Sequence, residues 1–178
     1  MPITILNRQK QYRGHAFDVS KVQIRLPDGR ERFYDLVEHV DSVSIVPVDD
    51  KGNLYFVSQP RIGSGDTLLE LPAGVMDKGE TPLQCAKREI REEIGMGAGK
   101  ISTLGSFYLA AGYSTEKMTV FLATNLFKSP LPPDEDEFIN IQKMPIEEAY
   151  QKALAGEFQD GKTLAALLLT KPYLKIND

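Results

Sequence analysis

The stretch LPAGVMDKGETPLQCAKREIREEIGM, Leu71 to Met96, decides the reading of this 178-residue chain. It sets Glu89, Glu92 and Glu93 close together on one predicted helix, just after a loop holding Gly74, Gly79 and the acidic pair Asp77 and Glu80. Like charges three and four residues apart on a helix repel by roughly 0.2–0.5 kcal/mol per pair, so helix stability gives no reason for the cluster. Something positive must answer it.

The helix itself has a full set of start and stop signals. Thr81 can cap, Gln84 completes a capping box, Pro82 fills the first helical position and Gly95 can end the run. At about 100° per residue, Leu83, Ala86, Ile90 and Ile94 gather on a stripe that faces the core, with Glu89, Glu92 and Glu93 on the neighbouring stripe. Carboxylates crowded beside a core resist ionisation unless a cation neutralises them, and hard oxygen ligands suit Mg²⁺ or Mn²⁺. The bland alternative is a solvated acidic face paired with Arg88 and Arg91.

Working outward, VSKVQIRL and RERFYDLVEHV alternate around PDGR, Pro27 to Arg30, and read as a hairpin on an Asp-Gly turn. Next come the predicted strands DSVSIVPVD, NLYFVSQPR and TLLELP, and beyond the helix ISTLGSFYLA and KMTVFLATNLF. SPLPPDEDEF is a Pro-rich acidic loop, and MPIEEAYQKALAGE and DGKTLAALLLTKPYL read as two further helices. Strands on both sides of a central helix indicate an α+β or mixed α/β domain with a β-rich N-terminal appendage.

Composition excludes several classes. With 42% hydrophobic and 26% charged residues the chain is an ordinary globular sequence with one substantial core. A single cysteine, Cys85, excludes an intramolecular disulfide framework. No run approaches the eighteen or so apolar residues of a membrane span, and no leader-like segment opens the sequence, so the expected address is cytoplasmic. A net charge of −4 supplies no basic field for nucleic acid.

The spacing carries more than the charges do. From Gly74, five residues lead to Glu80 and seven more to Arg88, followed by Glu89, Ile90, Arg91, Glu92, Glu93, Ile94, Gly95 and Met96. This resembles, at every fixed position, the Nudix hydrolase signature G-x5-E-x7-R-E-U-x-E-E-x-G-U, with U apolar. Within that family FVSQPR, LLELPAG, GYSTE, DEDEFI and GEFQDGKTLAALLL resemble the ADP-ribose pyrophosphatases and related nucleoside diphosphate sugar hydrolases. The resemblance implies a Nudix-like α/β/α sandwich over residues 41–178 and a small β-rich unit over residues 1–40 that joins a homodimer.

It also implies a metal-dependent hydrolysis of the pyrophosphate bond of ADP-ribose or a similar nucleoside diphosphate sugar, to a nucleoside monophosphate and a sugar phosphate. Glu89, Glu93 and the Ala73 carbonyl are the implied metal ligands, with Glu137 assisting and Glu92 as a further or water-mediated one in a catalytic role. Glu135 is the implied base, and Asp134 and Asp136 are alternatives on the same loop. Arg61, Glu70 and Glu116 match substrate-contacting positions, while Glu80 and Arg88 brace the loop against the helix. Phe33, Tyr34 and Tyr113 either stack on a base or sit in the core, and His15 and His39 show no pairing pattern.

One departure bears on selectivity. A proline-containing segment usual in the subfamily is replaced here by Leu109, Ala110, Ala111 and Gly112, which keeps GDP-mannose, ADP-glucose and dinucleoside polyphosphates in contention. Two other classes are weaker. A non-catalytic binding protein on the same fold would have lost box carboxylates, and an isopentenyl diphosphate isomerase would need a catalytic cysteine outside the helix that holds Cys85.

Overall fold

A computed structural model describes residues 3–133 and 138–174. Its elements form an α/β fold that divides into two compact units, Met1–Asp41 with Phe107–Met118, and Ser42–Ser106 with Thr119–Asp178.

In the first unit β1 (Thr4–Arg13), β2 (Asp18–Arg25) and β3 (Glu31–Glu38) make an antiparallel sheet in that order. The Asp-Gly hairpin links β2 to β3 as its alternation dictates. Strand β1, which the sequence pattern does not announce, is exposed along its whole length and polar except at Ile5, Leu6 and Tyr12. It is held by ladder bonds and by ions: Arg8 and Lys10 meet Glu38, and Lys10 also meets Asp18. The segment Phe107–Met118 joins this unit through backbone, with Val37 N donating to Tyr113 O at 2.7 Å and Thr115 N to Val37 O at 3.0 Å.

In the second unit β4 (Ser42–Pro47) runs between β7 (Ala73–Val75) and β9 (Lys117–Lys128), with β8 (Met96–Tyr108) outside β9. A second sheet has the order β10 (Asn140–Pro145), β5 (Asn53–Arg61), β6 (Asp66–Glu70). Strand β4 is buried at every position, as a central strand covered on both faces must be. Helix α1 (Pro82–Glu93) and helix α3 (Gly161–Thr170) both pack on β4, and α2 (Ile146–Leu154) packs on β10 and β5. The core beneath α1 gathers Val43, Ile45, Tyr55, Val57, Cys85, Ala86, Ile90 and Ile94.

Helix α1 starts as its sequence signals require. Gln84 N donates to Thr81 Oγ1 and Thr81 N to Gln84 Oε1, the reciprocal capping box, and Gly95 takes a left-handed φ of 67° just past the end. The core stripe needs one correction. Leu83 is 41% exposed, and Cys85 takes the inward position instead, which also rotates Glu89 and Glu93 further under the helix than a stripe centred on Leu83 requires. Strands β7 and β10 are further additions: the first is three residues long, and the second is an edge strand buried only at Met144, so neither carries a readable alternation. Among the described residues no helix is long and apolar enough to cross a membrane.

Candidate active site

Three pieces of the second unit build the site: the short strand β7, the loop 76–81 and helix α1. The loop returns the chain so that Ala73 and Gly74 lie against the flank of α1 that carries Glu89 and Glu93. Both glutamates are nearly buried, at 6% and 3% exposure. Ala73 N donates to Glu93 Oε2 at 3.0 Å. At Gly74 an added Cβ would fall 1.9 Å from Glu89 Oε1, so only glycine lets the strand come this close.

Arg88 is the hub of the charges. Its Nη1 donates to Glu89 Oε1 at 2.7 Å and to Glu92 Oε2 at 2.9 Å, while Nη2 reaches Glu80 Oε2 at 3.0 Å and the Val75 carbonyl at 3.0 Å. Asp77 approaches at 3.6 Å. The bond from Arg88 holds the Glu80 carboxyl below its ordinary range, and Glu80 also accepts from Asp77 N at 2.9 Å. Glu80 and Arg88 thus brace loop to helix, as their positions in the signature imply. Arg91 is not part of the cluster, because its Nε donates to the Ser129 carbonyl at 3.0 Å. Burial pushes the Cys85 thiol well above its ordinary pKa, which leaves it an inert core residue.

Arg88 answers only part of the negative charge. Four carboxylates, from Asp77, Glu80, Glu89 and Glu92, lie within 4.0 Å of this one guanidinium. The donors are hard oxygens on a water-poor edge, and they fit a divalent cation such as Mg²⁺ or Mn²⁺. Among the described residues no three His, Cys, Asp or Glu side chains converge on one point. Arg88 Nη1 holds one oxygen of Glu89 and one of Glu92, and Ala73 N holds one of Glu93.

A second ionic cluster surrounds Glu70, which is 1% exposed at the end of β6. Arg61 meets it with two parallel bonds, Nε to Oε1 at 2.8 Å and Nη2 to Oε2 at 2.7 Å. Glu70 raises the Arg61 guanidinium further above its ordinary value. These two predicted substrate contacts therefore pair with each other. Glu116 belongs to the first unit, where its Oε2 lies 3.7 Å from His39 Nδ1. Phe33, Tyr34 and Tyr113 are exposed, which removes the core reading for all three. Glu135 and Glu137, with Asp134 and Asp136, lie outside the described residues.

Sequence reasoning missed Asp160 and Lys162 at the head of α3. Lys162 Nζ lies 2.5 Å from Asp160 Oδ1 and 3.4 Å from Glu70 Oε2. Burial works to raise the Asp160 carboxyl, yet Lys162 and the Thr163 N–H and O–H outweigh it and hold it below the ordinary range. The available signal was an aspartate at a helix N-cap position followed two residues later by lysine.

The profile of the NUDIX domain matches residues 38–167. The chain belongs to the NUDIX family. The match spans the whole α1 cluster. This NUDIX chain is 32% identical to an ADP-ribose pyrophosphatase of Bacillus subtilis over 90% of its length and 88% of the relative's. It is 36% identical to an ADP-ribose pyrophosphatase of Mycobacterium tuberculosis over 92% of its length and 80% of the relative's. A crystal structure of an ADP compounds hydrolase superposes on 98% of the chain, and 95% of that chain, with a TM-score of 0.87 at 28% identity. Family, relatives and fold agree on a NUDIX pyrophosphohydrolase.

Proposed function

We propose that this NUDIX enzyme hydrolyses the pyrophosphate bond of ADP-ribose or a closely related nucleoside diphosphate sugar, releasing a nucleoside monophosphate and a sugar phosphate. The observation that carries the reading is the burial of Glu89 and Glu93 against Ala73 and Gly74, within an uninterrupted NUDIX signature. The similarity to two ADP-ribose pyrophosphatases over about nine-tenths of the chain supports the substrate class.

Glu89, Glu93 and the Ala73 carbonyl would hold the divalent ion, Mg²⁺ or Mn²⁺, with Glu137 as an assisting ligand and Glu92 as a further or water-mediated one. A bound divalent ion supplies charge that offsets the diphosphate and stabilises the leaving phosphate. Arg88 keeps Glu89 and Glu92 oriented through its 2.7 and 2.9 Å bonds before substrate arrives. Arg61 contacts phosphate or ribose with the edge that Glu70 leaves unused, and Glu70 and Glu116 are the further substrate-binding positions. Water attacks one phosphorus, its oxygen bonds to that phosphorus as the bridging P–O bond breaks, and Glu135 takes the proton. The exposed aromatic residues of the three-stranded sheet suit a homodimer in which residues 1–40 pair with a second copy.

The test is hydrolysis of ADP-ribose, GDP-mannose, ADP-glucose, diadenosine polyphosphates and nucleoside triphosphates with Mg²⁺, Mn²⁺ or EDTA. Metal-dependent cleavage favouring nucleoside diphosphate sugars is expected, and cleavage that persists in EDTA overturns the reading. A second reading, preference for GDP-mannose or ADP-glucose, rests on the segment Leu109–Gly112. There Tyr113 N and Ser114 N both donate to Ala110 O, a turn closed without proline. On the loop, Glu135→Gln is expected to lower kcat about a hundredfold or more at unchanged metal affinity. If Glu137→Gln alone does this, the two loop roles are exchanged.

A further inference from the structure

The head of α3 is fastened to the end of β6 on two sides. Thr163 Oγ1 accepts from Leu71 N at 2.8 Å, and the same hydroxyl donates to Asp160 Oδ2 at 2.7 Å. Asp160 Oδ1 holds Lys162, and Lys162 reaches back to Glu70, the residue before Leu71. The ring Glu70, Leu71, Thr163, Asp160, Lys162 is therefore closed, and every side chain in it except Lys162 is buried.

Arg61 is attached to this ring at one point. Its Nε and Nη2 are both spent on Glu70, and its Nη1 makes no hydrogen bond among the described residues. The Arg61 side chain is 38% exposed and borders an open cavity of about 440 Å³, lined by Pro60, Ile62, Gly65, Asp66 and Thr67 as well. A guanidinium on a flexible stem samples many directions. A guanidinium doubly bonded to a buried carboxylate has one plane, and that plane is set by where the carboxylate points.

We propose that Lys162, held by Asp160, is a positioning residue for Arg61: it pins Glu70 Oε2 from α3 and so fixes the direction in which the Arg61 fork meets the substrate. The proposal rests on Arg61 being a substrate contact, as read above. Two cations on one carboxylate determine its rotation, whereas Arg61 alone would let the pair swing together. The role belongs to substrate binding and leaves the carboxylates of α1 untouched.

The experiment measures kcat and KM for ADP-ribose with Mg²⁺ in Lys162→Met, Lys162→Arg, Arg61→Gln and the Lys162→Met/Arg61→Gln double variant, with thermal midpoints for each. Lys162→Met is expected to raise KM about tenfold with kcat within about twofold, and Lys162→Arg to recover most of that loss. In the double variant KM should rise no further than in Arg61→Gln, because positioning is void once its object is gone. A rise in KM for Arg61→Gln with none for Lys162→Met overturns the proposal alone. An unchanged KM in Arg61→Gln overturns the reading of Arg61 itself, and the proposal with it. Additive effects in the double variant, or a lowered midpoint with the kcat-to-KM split absent, also overturn it by showing a merely structural lysine.

Discussion

Replacing Glu93 by glutamine is expected to reduce kcat by about a thousandfold while the protein stays folded. The exchange keeps shape and removes one charge. Ala73 N, 3.0 Å from Glu93 Oε2, can donate equally to an amide oxygen, so the link between β7 and α1 survives. In the metal-free protein the variant relieves repulsion from Glu89 and gives up attraction to Arg61, opposing effects of roughly a few tenths of a kcal/mol, so its thermal midpoint should hold. Isothermal titration with Mn²⁺ gives a readout independent of turnover: affinity should fall together with kcat. Retention of most activity, or a fall in activity at unchanged Mn²⁺ affinity, would remove Glu93 from the ligand set.

The contrast between those two readouts follows from how the cluster is built. A buried carboxylate kept for stability would be answered by its own fixed cation, and its loss would leave that cation unpaired and cost about 3–5 kcal/mol. Glu70 is answered in that way, with Arg61 and Lys162 both on it. The α1 cluster is different, with four carboxylates on the single guanidinium of Arg88. On the proposed reading, a divalent cation bound in the working enzyme adds to what Arg88 supplies here.

This also bears on what could be read from residues alone. Helix α1 was legible because its boundaries are local: Thr81, Pro82, Gln84 and Gly95 act within one turn of themselves. The acidic flank was legible as a flank, since helical periodicity places Glu89 and Glu93 beside Ala86 and Ile90. Its depth was not, because burial depends on β7, and a three-residue strand formed by pairing Val43 with Gly74 has no pattern of its own. For the same reason Leu83 was misplaced: which residue of a wide stripe turns inward is decided by the partner surface, and Cys85 fits beneath β7 with its Sγ 3.6 Å from the Val75 carbonyl. Strand β1 escaped because its polar side chains are stabilised by ion pairs with Asp18 and Glu38, which are contacts distant in sequence. The Glu70 ring escaped likewise, since Lys162 and Glu70 are brought together only by the packing of α3 on β4.

Substituting Gly74 by alanine is expected to abolish most activity, and Gly79→Ala to leave activity near normal at a comparable cost in stability. The two glycines serve different physical ends. Gly79 has a φ of +85° with open space around its missing side chain, so alanine there costs backbone strain of about 1–2 kcal/mol and touches no carboxylate. Gly74 has an ordinary φ, but its added Cβ would lie 1.9 Å from Glu89 Oε1 and 2.0 Å from Cδ. Two movements can relieve that contact. Strand β7 can retreat, which breaks its ladder to β4 at Val43, or the Glu89 carboxylate can swing, which abandons the 2.7 Å bond from Arg88. Swinging a side chain costs less than lifting a paired strand, so the expected loss is about 1–3 kcal/mol of stability, within the range of overpacked sites. The displaced carboxylate, however, is a proposed metal ligand, and kcat should fall by about a hundredfold or more with weakened Mn²⁺ binding. Thermal midpoints and saturating-metal kinetics of the two variants, measured side by side, decide the matter. If Gly74→Ala lost stability yet turned over normally, Glu89 could move freely without consequence, and the ligand role would have to pass to Glu92 or Glu93.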